Sequence, residues 1–108
     1  MTTFLRNKRA TFDYEILEKF EAGIVLSGNE VKSIKQQHGS LAEAYITVDN
    51  DELFLIKAHI PPYQPNNTPD SYDPYARRKL LLSKSEIEKI KKSLNQKGQT
   101  IIPLDMHS

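Results

Sequence analysis

The chain has 108 residues, 38% hydrophobic and 27% charged, with a formal net charge of +1 and no cysteine. That length makes one domain, able to bury roughly 60–68% of its unfolded surface. No apolar run approaches the ~20 residues needed to span a bilayer, and the N-terminus has no secretory apolar segment. Without cysteine there are no disulfides, iron–sulfur clusters or thiolate zinc sites, and the composition fits a reducing cytoplasm, the expected location.

The first residues, MTTFLRNKRA, read as a flexible arm. Tyr14, Ile16, Glu18 and Phe20 alternate against Glu15, Leu17, Lys19 and Glu21, which predicts a strand. Gly23 to Leu26 is a second strand that runs straight into a helix over about Gly28 to Gln37. Ser27 and Glu30 form a capping box there, and Gly39 is the predicted stop. Leu41–Val48, the turn Asp49-Asn50-Asp51 and Glu52–Ile60 predict a hairpin.

Pro61 to Pro74 holds five of the six prolines and reads as a functional loop. Lys79–Leu82 is a strand, and a second capping box at Ser83 and Glu86 opens a helix with Ile87, Ile90 and Leu94 on one face. Thr100–Leu104 is a final strand, with Pro103 placing it at an edge. The fold class expected is mainly β with short helices. Its form is a small antiparallel oligonucleotide-binding (OB) type of barrel with two to three attached helices, residues 1–108 being one domain.

Charge is segregated. Arg6, Lys8 and Arg9 stand without an acid, residues 11–30 are acidic, and the segment from Arg77 to Lys97 is basic. Such clustering can build one positive face on a nearly neutral protein. No metalloprotease, nucleophile-elbow or phosphate-loop motif occurs, so neither an enzyme, a metal site nor a cofactor is expected. Asn7-Lys8-Arg9 can follow phosphates and donate to base edges, while Arg77-Arg78-Lys79 presents a cluster where the loop re-enters the sheet. Tyr63, Tyr72 and Tyr75 are candidates for stacking on bases, or for pinning the loop to the barrel.

Five ordered stretches closely resemble the small protein B (SmpB) family. They are Asn7-Lys8-Arg9-Ala10 with Tyr14; Phe20-Glu21-Ala22-Gly23-Ile24 through Gly28 and Glu30-Val31-Lys32-Ser33; and Ala44-Tyr45, His59-Ile60 and Pro62-Tyr63. Asp73-Pro74 with Arg78-Lys79-Leu80-Leu81-Leu82 comes next, and Gly98 with Thr100-Ile101-Ile102-Pro103-Leu104 last. The resemblance implies an OB-type RNA-binding protein without catalysis. Its partner would be the transfer-RNA-like part of transfer-messenger RNA. It would bring that RNA to stalled ribosomes in trans-translation, meeting elongation factor Tu indirectly through the RNA, with neither a membrane nor a small-molecule substrate.

Carried over by motif, Asn7, Glu21 and Leu81 would be contact residues. Lys8, Arg9, Lys32, Arg78 and Lys79 would support them, and Tyr63 and Arg77 join the candidate RNA-binding set from the loop and the basic cluster read above. Glu21, taken as a sheet carboxylate, would accept hydrogen bonds from base edges, because a carboxylate repels phosphate. Two departures stand out. Ala76 occupies a place where many relatives carry arginine, and the family's further strand and lysine-rich tail have no counterpart before Ser108. The missing strand would leave an unpaired edge near Thr100–Leu104, open to a second copy. The alternatives are a general single-stranded RNA binder on the same barrel and a protein-interaction module using the proline loop.

Overall fold

A computed structural model describes residues 2–108. Its elements run β1 (Thr3–Arg6), α1 (Ala10–Asp13), β2 (Gly23–Ile24), α2 (Gly28–Lys35), β3 (Tyr45–Asp49), β4 (Glu52–Ile56), β5 (Arg78–Leu81), α3 (Lys84–Leu94) and β6 (Asp105–His107), with a short 3-10 turn at Pro65–Asn67. Two antiparallel sheets result: a four-stranded one in the order β2-β5-β4-β3, and a two-stranded ribbon of β1 and β6. Helix and strand are present in similar measure, so the fold is mixed rather than mainly β. Among the described residues no barrel closes.

The predicted hairpin, β3 and β4, forms one side of the larger sheet, with β3 at the edge. Asp49 pairs with Glu52 across a two-residue turn in which Asn50 (φ 52°) and Asp51 (φ 62°) are both left-handed. That turn type matches the twist of the flanking strands, and Asn and Asp tolerate it better than most side chains. Leu53 and Leu55 point from β4 into a core shared with Leu5, Ile34, Leu41, Ile46, Ala58, Ile60, Ile90 and Met106. Phe54 lies on the opposite face, where the Arg77 guanidinium covers its ring at 4.0 Å.

Both capping boxes are formed. Ser27 accepts from the Glu30 N–H while Glu30 accepts from the Ser27 N–H, and Ser83 and Glu86 repeat the arrangement. Helix α2 ends at Lys35, before the predicted Gly39. Gln37, at φ 61°, takes the left-handed position, with its N–H on Ile34 and the His38 N–H on Ser33. This is a Schellman closure, with glutamine where glycine is usual. Gly39 has a different use: a Cβ there would stand 2.6 Å from the His59 carbonyl oxygen, where Ser40 and His59 bridge two segments.

Three expectations are corrected. Residues 3–6 are not an arm: β1 pairs with β6 and buries Leu5. Met1 lies outside the described residues. The alternating stretch from Tyr14 to Phe20 forms no strand, and Leu17 is 69% exposed. Alternation suits a strand, but a ladder also needs a free edge. Of this part of the chain only Gly23 and Ile24 pair, with β5.

The last strand is Asp105–His107 rather than Thr100–Leu104. Residues 101–104 form no ladder but share backbone hydrogen bonds, the Ile101 carbonyl taken by the Ile46 N–H and the Leu104 carbonyl by the Asn7 N–H. The expected edge at Thr100–Leu104 is therefore partly occupied from within the chain.

Candidate nucleic-acid interface

The sequence-predicted residues fall into three structural groups. The first is the β1–β6 ribbon and what leans on it. Asn7 is half-buried; its amide donates to the Pro103 carbonyl at 3.1 Å and its backbone N–H donates to Leu104. Lys8 and Arg9 follow on an exposed turn. Lys8 has no carboxylate partner among the described residues, and Arg9 meets Asp13 only at 3.8 Å. Beside them an open cleft of about 270 Å³ is lined in part by Asn7, Arg9, Tyr14 and Tyr45.

Glu21 approaches the same ribbon from the other side, its carboxylate 3.4 Å from His107 Nε2. It is 83% exposed and lies in no strand, contrary to its reading as a sheet carboxylate. Leu81, 52% exposed, sits close by in the chain's geometry: it pairs with Gly23, whose missing side chain leaves room for the leucine. Asn7 and Glu21 thus each touch the chain leading into or along β6, Asn7 at Pro103 and Leu104 and Glu21 at His107, while Leu81 pairs with Gly23, two residues beyond Glu21.

The second group is the outer face of β5. Arg77 pairs with Asp49 at 2.7 Å and Lys79 with Glu52, all four side chains exposed or half-exposed. Exposed pairs of this kind are worth about 0–1 kcal/mol, so exchanging a carboxylate for a phosphate costs little. Lys32 on α2 lies 5.7 Å above the Tyr63 ring, which is half-buried. Tyr75 is 57% exposed and leans on His59, with ring centroids 4.9 Å apart.

Arg78 belongs to neither surface. Its side chain is 3% exposed, and its Nε and Nη2 both donate to Glu30 Oε2, at 2.9 and 2.7 Å. Nη1 donates to the carbonyls of Ala58 and Pro74 at 2.7 and 3.0 Å. Glu30 therefore holds the N-terminus of α2 through one oxygen and the buried guanidinium through the other. Tyr72 closes the same corner by donating to the Ile60 carbonyl at 2.7 Å. Burial, with Glu30 nearby, holds its hydroxyl above the usual tyrosine pKa, so it stays a donor.

Of the expected contact residues, Arg78 is thereby removed from the solvent-facing set, because every donor nitrogen it has is engaged inside the protein. The signal was present in the sequence: Arg78 shares strand parity with Leu80 and Leu82, the inward-facing side. His107 was not anticipated at all. Among the described residues no cluster of three or more His, Asp or Glu can hold a metal ion, and no helix is long and apolar enough to cross a membrane.

Exposed cations and tyrosines, spread over the start of the chain, α2 and β5 with no enclosed catalytic cluster among the described residues, define a surface able to bind a polar partner. A family model described as SmpB protein matches residues 4–108, and the chain belongs to that family.

It is 50% identical over 107 residues to the SsrA-binding protein of Coprothermobacter proteolyticus, covering 99% of this chain and 71% of that one. It is 41% identical to the SsrA-binding protein of Chelativorans sp., covering 99% of this chain and 68% of that one. A solved chain from "tmRNA-SmpB: a journey to the center of the bacterial ribosome" superimposes with a TM-score of 0.78 at 39% identity. The match covers 98% of this chain and 73% of that chain.

Proposed function

We propose that this chain binds the transfer-RNA-like domain of transfer-messenger RNA and brings it to stalled ribosomes in trans-translation, as a binding protein without catalysis, acting in the cytoplasm. The observation that carries this reading is the relation to SsrA-binding proteins across 99% of the chain at up to 50% identity. The two antiparallel sheets with helices between strands are read as an open OB-type barrel, a small architecture that tolerates such insertions.

In this reading Lys8, Arg9, Lys32, Arg77 and Lys79 meet the RNA backbone, and Asn7, Glu21 and Leu81 meet bases or riboses. Tyr63 is held under Lys32 and offers a ring edge beside that cation. Phosphate contacts give salt-dependent affinity, whereas Glu21 can only accept from base N–H groups and so selects. Arg78 acts through the loop it fastens and not by touching RNA.

The test is competition binding at raised salt. A folded elbow of the transfer-RNA-like domain should outcompete unstructured RNA of equal length. Equal competition would favour the general single-strand binder instead, since stacking and phosphate contacts do not distinguish shapes. No salt-dependent affinity for either RNA would refute RNA binding altogether.

A further inference from the structure

His107 stands between two carboxylates. Its Nδ1 lies 2.6 Å from Asp105 Oδ1, and its Nε2 lies 3.4 Å from Glu21 Oε1. Asp105 and His107 are two residues apart on β6, so they share a face, with Met106 buried on the other. The two carboxylates address opposite nitrogens of one ring, so they cannot converge on a metal ion. A neutral imidazole carries one N–H. With a neutral ring one contact would be a hydrogen bond, and the other would set a nitrogen lone pair against a carboxylate oxygen. Both contacts are attractive only in the imidazolium form. The short bond to Asp105 fixes the ring, so the proton decides the contact to Glu21.

Glu21 has no other side-chain partner among the described residues, and the stretch from Tyr14 to Ala22 has no ladder to hold it. We propose that His107 is a positioning residue for RNA recognition: as imidazolium it holds the Glu21 carboxylate in place and offsets its repulsion from nearby phosphates. This rests on the RNA-contact reading of Glu21 given above.

The hydrogen bonds to Asp105 and then to Glu21 raise the His107 pKa above the ordinary imidazole value. Across the ribbon, β1 sets Thr3 opposite His107 and Arg6 opposite Asp105, Arg6 being the only charged residue of that strand. Since phosphates favour the imidazolium, RNA binding takes up a proton, and lower pH tightens the complex.

The experiment measures affinity for the transfer-RNA-like RNA at constant ionic strength, from about pH 5.5 to about pH 8, where histidine changes charge. Wild type, His107→Gln, Glu21→Gln and the double variant are compared. Each protein's histidine titration is followed by NMR without RNA. Wild-type affinity should fall at least about fivefold across that range, the low end of ordinary coupling between sites.

The pH slope should flatten in His107→Gln, His38 and His59 being common to both proteins, and His107→Gln should change nothing further in the Glu21→Gln background. The His107 pKa in the free protein should drop in Glu21→Gln. A pH slope that survives His107→Gln, in a chain that still prefers the folded elbow, overturns the role of His107 alone. Loss of that preference in the wild type overturns the RNA reading, and this role with it.

Discussion

Two glutamates of this chain each meet a cation, and the two meetings have little in common physically. Glu30 and Arg78 are both nearly out of solvent, joined by two hydrogen bonds to one oxygen, with the remaining guanidinium nitrogen, Nη1, donating to two backbone carbonyls. Glu21 and His107 touch at 3.4 Å, with the carboxylate 83% exposed. Water screens the second pair and leaves it reversible. The first cannot be half-broken without stranding a charge. The chain thus has a carboxylate–cation pair that fastens the fold and another that is free to respond to a partner.

The sharpest way to break this contrast is Arg78→Met. It leaves Glu30 charged and buried, so unfolding by urea should show a loss of about 3–5 kcal/mol, the cost of breaking a buried pair by removing one partner. A loss below about 1 kcal/mol, as for an exposed pair, would put Arg78 on the surface after all. Gly39→Ala probes the neighbouring bridge. Its Cβ would collide with the His59 carbonyl at a positive φ, so a loss of about 1–3 kcal/mol is expected from thermal or urea unfolding.

Arg77→Ala and Lys79→Ala should change stability by less than about 1 kcal/mol each, as exposed pairs do. Each should lower the slope of log affinity against log salt by about 0.7–0.9. An unchanged slope would take that residue off the RNA surface.

The smallest effect is on stability against pH. Because the folded His107 pKa is raised, its contribution is fully present below the unfolded value of about 6.5 and is lost as pH rises through the folded one. Wild-type melting temperature should therefore decline slightly over that window relative to His107→Gln. A relative rise would reverse the sign and remove the imidazolium from the free protein.

Local signals were legible where the physics is local. The two capping boxes join residues three apart in sequence, and the Asn50-Asp51 turn needs only side chains that tolerate left-handed backbone. All three stand where the sequence put them. The alternating stretch from Tyr14 misled because alternation describes a face and says nothing of an available edge. The start of the chain misled for the converse reason: Thr3–Arg6 is short and has no neighbour in sequence to pair with, yet β6 offers it an edge at the far end of the sequence.

Sequence by itself determined the family motifs, the starts of α2 and α3, the hairpin and the clustering of cations, all properties of residues close together along the chain, while the short α1 at Ala10–Asp13 was missed. Strand parity already sets Arg78 apart from its neighbours, but what each cation meets was decided only by tertiary structure. Arg77, Arg78 and Lys79 are consecutive, yet strand alternation points the middle one inward, where Glu30, 48 residues away, waits for it. His107 and Glu21 are 86 residues apart and meet only in the folded chain. Long-range electrostatics depends on burial and distance in space, and neither is written in the spacing of a sequence.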